Sequence, residues 1–210
     1  MVDVESRAPG RRDRKKQQTR AALITAALRL VAERGLERVT VEEISAAADV
    51  SVRTFFNYFA SKDDVLIGDP LVDGAELRER LLAAKRDLPV LSALMLALTP
   101  AIEQIEADRD LWRLRLKVIF HNPALLPSLH ARGTAAEAEF VAAIAARARV
   151  DADHLYPAVT ASVLGAAFRT AMLRWAVAEN GPDLLELVLE AVGMVGGGLQ
   201  DPEPTIEEDR

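Results

Sequence analysis

Between Thr40 and Asp64 the chain begins three helices in quick succession, and no other feature limits its fold so tightly. Thr40 stands three residues before Glu43, the spacing at which a hydroxyl and a carboxylate satisfy each other's backbone amides at a helix start. Ser51 precedes "VRTFFNYF" and Ser61 precedes "KDDVL", each placed to accept a hydrogen bond from an amide two or three residues on. Caps this close together leave room only for short helices joined by tight turns. The reading predicts a helix "VEEISAAA", a turn at "DVS", a helix over 52–59 and another opening at Lys62. Short helices are marginal alone in water, so a longer partner must hold them. The preceding segment, 12–34, supplies one: Leu23, Ala27, Leu30 and Ile24, Leu28, Val31 form an apolar stripe that Gly35 terminates.

The remainder also reads as helix. Ala, Leu, Glu and Arg dominate, all strong helix formers, and apolar residues recur at spacings of three and four. "LERVTVEE" is the one stretch with some strand character, but it has helical flanks and no partner. After "GDP" at 68–70 the helix resumes to about Arg86, and Pro89 opens another that should kink or break near Pro100. Further helices are expected over 110–122, then from 123 to about 149 with an irregularity at Pro127 or Gly133, and finally over 152–179 and 182–199. The expected fold is all-α with about nine helices. Residues 1–60 would hold a basic arm and a three-helix unit, 61–199 a larger helical body, and 200–210 an acidic disordered tail.

Composition narrows the function. There is no cysteine, which removes disulfides, thiolate metal sites and a cysteine nucleophile. His121, His130 and His154 are the only histidines, and no glycine-rich phosphate loop is present. Asp151 and His154 are three apart, but acidic chemistry at a helix start explains them better than a metal. No enzyme, metal or cofactor is expected. The run "AALITAALRLVAERG" follows basic residues as a signal peptide would, yet Arg29 interrupts it; "VLSALMLALTPAI" is too short to span a bilayer. A soluble, cytoplasmic protein without membrane contact is expected, and its arginine and alanine usage suits a GC-rich bacterial gene. The net charge of -6 conceals an asymmetry: residues 1–20 carry +4, whereas the chain from residue 65 onward carries -8. One basic end on an acidic body suits a protein that offers that end to an anion.

Around a helix axis at about 100° per residue, Val52, Phe55, Phe56 and Phe59 gather on one side of the 52–59 segment. Arg53, Thr54, Asn57 and Tyr58 occupy the other. Phe55 and Phe59 read as core, with Phe56 at the edge of the apolar cluster. A merely solvated face would carry Glu–Lys pairs; this one carries planar and short hydrogen-bonding groups of the kind that meet phosphates and base edges. Two short helices around "ADVS" form a helix-turn-helix whose second member fits the DNA major groove.

The segment "TRAALITAALRLVAERGLERVTVEEISAAADVSVRTFFNYFASKDDVL" resembles the N-terminal domain of TetR-type transcriptional regulators, most specifically in "AERG", "TVEEISAAADVS" and "TFFNYFASKDDVL". The resemblance implies that Thr40 meets a phosphate and that Ser51, Val52, Arg53 and Thr54 lead the recognition helix. It makes Arg53 and Asn57 base contacts, Thr54 a base or phosphate contact, and Tyr58 and Lys62 phosphate contacts. Phe56 departs from the family, where a tyrosine hydroxyl usually touches phosphate; here only van der Waals contact, for example to a sugar or a thymine methyl, is open to it. The family pairs its last two large helices into a homodimer, which points to Ala161, Gly165, Leu185, Val188, Leu189 and Val192. A small molecule in the C-terminal body releases it from operator DNA. Met95, Trp112, Leu116, Phe120, His121 and Trp175 are the candidate lining, mostly apolar and so suited to a hydrophobic effector. The competing reading is a helical ligand-binding or adaptor protein without DNA binding.

Overall fold

The computed structural model describes residues 10–68, 74–151, 153–178 and 181–199. The tail at 200–210 and the first nine residues of the basic arm lie outside the described residues. Among those described, ten α-helices and two short 3-10 turns make up the regular structure, and there is no strand. The helices are α1 (Arg11–Arg34), α2 (Val41–Ala47), α3 (Val52–Phe56), α4 (Lys62–Ile67), α5 (Gly74–Ala83), α6 (Val90–Ala107), α7 (Arg109–His121), α8 (Leu126–Ala148), α9 (Leu155–Val177) and α10 (Leu184–Gly196). "LERVTVEE" divides into a 3-10 turn at Leu36–Arg38 and the start of α2.

The chain forms two compact units. One gathers the described residues of Met1–Asp69 with Asp110–Ala131, the other those of Pro70–Arg109 with Arg132–Arg210. In space the first unit is thus larger than the 1–60 segment: α4, α7 and the opening of α8 belong to it. Its core is built around α1, whose Leu23, Ile24, Ala27, Leu28 and Val31 pack with Ile44 of α2, Phe55 of α3, Phe59, Val65 and Leu66 of α4, and Val118 and Ile119 of α7. Burying these side chains supplies what the short helices lack in length.

Two lateral contacts hold α4 in this unit. The Ser128 hydroxyl donates to Asp63 Oδ2 at 3.0 Å, and the Arg115 guanidinium, itself buried, lies against Gly68 where α4 ends. Gly68 has φ 80° and ψ -176°, a backbone region open essentially to glycine alone.

The second unit packs α10 against α9 and α6, with α5 on α6. Pro100 does not break α6, which runs unbroken through it. By length and hydropathy α6 is the one described helix that could cross a membrane, but Ala93, Leu94, Met95, Ala97, Ile102 and Ile105 are buried within this unit. Side chains also close the helix ends. Arg147 of α8 donates to the carbonyls of Ala84, Lys85 and Leu88 at the end of α5. Glu106 Oε2 accepts the first amide of α10, from Leu184, at 2.9 Å, while its other oxygen pairs with Arg109. The Arg109 guanidinium sits 5.3 Å from the Trp175 ring centre. α8 likewise passes through both Pro127 and Gly133 without interruption; the expected irregularity precedes it, as the 3-10 turn Pro123–Leu125.

Two glycines should respond in opposite directions to alanine. Gly68→Ala meets both the forbidden backbone region and the Arg115 guanidinium 3.0 Å from the new methyl group, so it should destabilise the protein by about 1–3 kcal/mol. Gly133→Ala adds a methyl group with nothing within 4 Å, inside α8, and should stabilise it by about 1 kcal/mol. Urea unfolding followed by circular dichroism measures both.

Candidate nucleic-acid interface

The helix-turn-helix is assembled by hydrogen bonds that the sequence encodes locally. At α2 the Glu43 amide donates to Thr40 Oγ1 at 3.3 Å, and the Thr40 amide donates back to Glu43 Oε2 at 3.0 Å. Arg34, at the end of α1, donates to the other Glu43 oxygen at 2.7 Å and to the Arg38 carbonyl at 3.1 Å. These charge-assisted contacts tie α1 to the start of α2. Arg34 first, then the Thr40 amide, holds the Glu43 carboxyl below its ordinary value.

The turn after α2 places Asp49 at φ 54°, a left-handed conformation that a short polar side chain tolerates better than most. The Val50 amide donates to the Ser45 carbonyl at 2.9 Å and closes this turn. Ser51 then caps α3 by accepting from the Thr54 amide at 3.1 Å, and the two hydroxyls lie 2.8 Å apart. Ser61 repeats the device for α4, accepting from the Asp64 amide at 3.1 Å, while Asp64 Oδ2 accepts from the Ala60 amide at 2.9 Å.

α3 is shorter than expected. It ends at Phe56, and Asn57 and Tyr58 form a turn before Phe59. Phe55 is wholly buried and Phe59 is 4% exposed, with Arg20 placed 4.8 Å from its ring centre. Phe56, grouped with the apolar side in the helical projection, is instead 55% exposed. Phe55 takes α3's place in the core cluster with residues of α1 and α2, and Phe56, the last residue of the helix, stays outside. Arg53 and Asn57 are exposed beside it; Val52, Thr54 and Tyr58 are half-buried, and Thr40 and Ser51 are exposed at their caps.

Lys62 is placed differently from a free phosphate ligand. Its ammonium donates to the Leu36 carbonyl at 2.7 Å and the Val39 carbonyl at 2.9 Å, bracing the loop that leads into Thr40. Two of its three donors are thereby occupied. Sequence spacing gave no sign of this contact, because its partners are backbone atoms more than twenty residues away.

The six residues put forward as effector lining divide between the units. Trp112, Leu116, Phe120 and His121 lie on α7 in the first; Met95 and Trp175 are in the second. Met95 and Trp175 are spent on packing the second unit, at 8% and 1% exposed. Phe120 is 55% exposed, and His121 Nδ1 pairs with the Lys117 carbonyl at 2.8 Å. Arg115, unremarked in the sequence, is the buried polar residue beside Trp112, its guanidinium 4.6 Å from that ring centre. His154 caps α9 by accepting the Tyr156 amide at 3.1 Å, and its own amide donates to the Asp151 carbonyl at 3.1 Å. Among the described residues no group of three or more His, Asp or Glu could hold one.

Three of the six proposed dimer residues need correction. Ala161, Val188 and Val192 are core of their own unit, at 3%, 2% and 6% exposed, so they have no surface to offer a partner. Leu185 is half-buried; Gly165 and Leu189 are exposed.

Comparison with known proteins agrees with this geometry. Residues 23–67 match the family model for bacterial regulatory proteins of the tetR family. Residues 88–200 match the MftR C-terminal domain model, more than half of the chain. The HTH-type transcriptional regulator TcmR of Streptomyces glaucescens is 32% identical over 177 residues, covering 80% of this chain and 77% of its own. MftR of Mycobacterium tuberculosis, a regulator assigned to mycofactocin biosynthesis, is 29% identical over 176 residues, covering 82% and 87%. Among solved structures, the Thermus thermophilus repressor FadR in complex with lauroyl-CoA is 26% identical, covers 90% of this chain and all of its own, and superposes with a TM-score of 0.50.

The Glu43 contact predicts a pH dependence. A carboxyl held below its unfolded value stabilises the fold above about pH 4.5 and loses that contribution as pH falls through its folded value. The melting temperature of Glu43→Gln should therefore lie below wild type at neutral pH and converge with it in acid; a constant gap across the range would contradict this. The capped helix-turn-helix, the two family matches and the relatives agree, and the chain belongs to the TetR family of ligand-responsive, DNA-binding transcriptional regulators.

Proposed function

We propose that the protein is a cytoplasmic homodimeric repressor that holds double-stranded operator DNA through α3 and releases it on binding a hydrophobic small molecule. The observation that carries the reading is the outward face at α3, where Arg53 on the helix and Asn57 just past its end stand exposed, while Phe55 on the opposite side is buried in the core. Arg53 is suited to pair with guanine through two hydrogen bonds and Asn57 with adenine. Thr40 and Ser51, exposed at the starts of α2 and α3, are placed for phosphates, and Val52, Thr54 and Tyr58 support the rim. Lys62 keeps one donor for a phosphate while bracing the loop before α2.

The dimer reading shifts to the outer stripe of α9. Leu155, Val159, Leu173 and Val177 are all exposed, and their spacing puts them within about 40° of one another around the helix. Ala166, also exposed, lies between them and permits close approach. On α10, Leu189 and Met194 are exposed apolar residues as well. A row of large apolar side chains in water is the usual mark of an interface. The hydrophobic effector rests on the apolar character of Trp112 and Leu116 on α7 and on the acyl ligand of the Thermus relative. Phe120 and His121 lie on the exposed end of the same helix.

Selection of bound duplexes from fragmented genomic DNA, followed by anisotropy across a salt series, tests the reading. A preferred two-fold site with a steep negative salt slope is expected. Absence of any preferred site would move the weight to a ligand-binding protein without DNA recognition. On the selected site, Lys62→Met should weaken binding about tenfold, with the salt slope reduced by no more than the one phosphate per subunit that its remaining donor can reach. Leu173→Arg combined with Val177→Arg should give a folded monomer in sedimentation velocity; a persistent dimer would place the interface elsewhere.

A further inference from the structure

Phe56 is the feature of α3 that the proposed function leaves unused. It follows Arg53 by three residues and precedes Asn57, so the three fall within about 100° of one another around the axis. All three are exposed, while Thr54 and Tyr58 are half-buried. A phenylalanine with 55% of its surface in water forgoes much of the gain from burial, on a face otherwise made of hydrogen-bonding groups. Nor is the ring loosely placed. The wholly buried Phe55 meets it edge to face, with ring centres 5.4 Å apart and planes at 83°.

A phenyl ring has no donor or acceptor, so it can neither hold a phosphate by a hydrogen bond nor read the donor and acceptor pattern of a base edge. The major groove presents one apolar group, the 5-methyl of thymine. We infer that Phe56 is a specificity-determining residue that packs on a thymine methyl adjoining the base pair read by Arg53. The exposed ring then becomes buried only against sites that carry the methyl, and a site with cytosine at that place leaves it facing a polar edge. This rests on the DNA-reading role of α3 proposed above.

Uracil tests the assignment, because it keeps the pairing of thymine and lacks only the methyl group. Each thymine of the selected duplex is replaced by uracil in turn, and binding is measured for the full-length wild type, Phe56→Ala and Phe56→Tyr. One position per half-site should weaken wild-type binding by about fourfold, the worth of one buried methyl group. Phe56→Ala should bind the thymine and uracil duplexes equally, and Phe56→Tyr, which keeps the ring, should retain the preference. Wild-type indifference to every uracil overturns the assignment, and so does a preference that survives in Phe56→Ala. Wild-type indifference overturns the assignment even if the alanine variant fails to fold. Recovery of no preferred duplex at all would instead overturn the DNA-reading function, and this assignment with it.

Discussion

Three backbone ends that no helix can satisfy by itself, the starts of α2, α3 and α4, govern the N-terminal unit. These helices have seven, five and six residues, far below the length at which a helix persists in water. Each begins with a hydroxyl that takes an orphan amide, from Thr40, Ser51 and Ser61. Each is then held by one or more buried side chains against α1: Ile44, Phe55, and Val65 with Leu66. Caps fix where each helix begins, and the core fixes which way it faces. The outward direction of Arg53 follows from both, since Phe55 two residues away has only one place to go.

The same arithmetic explains what the surface retains. A helix as short as α3 cannot bury a full apolar stripe, so one aromatic is left over, and it lies beside Arg53 and Asn57. On α9 the opposite case holds. Twenty-three residues give the helix two long faces, one packed through Leu164, Met172 and Trp175 and the other still apolar through Leu155, Val159, Leu173 and Val177. Near-uniform hydropathy around α9 follows from having an inner and an outer apolar side.

Local signals were legible in the sequence and distant ones were not. The capping box at Thr40, the serine caps and Gly35 as a helix stop need only neighbours a few residues away, and all are present in the structure. Pro100 and Gly133 misled because their cost is local while the packing of the helices that carry them is tertiary; Pro127 misled because it sits in the first turn of α8, where a missing amide costs nothing. Three of the six dimer residues misled for a related reason. Small and apolar residues at helical spacing mark a contact face, but spacing alone does not say whether the contact is within the chain, and Ala161, Val188 and Val192 turned inward. The grip of Lys62 on two carbonyls and the burial of Arg115 arise from chain crossings that no motif announces.

The proposed function stands on a capped α3 that reads bases through Arg53. Equilibrium binding of Arg53→Ala to the selected operator and to a scrambled duplex tests it most directly, with circular dichroism confirming the fold. The predicted result is loss of about 1–3 kcal/mol of preference per half-site, bringing the two duplexes close to equal while residual binding stays salt-dependent. An unchanged preference for the operator would contradict the claim and take base recognition away from this helix.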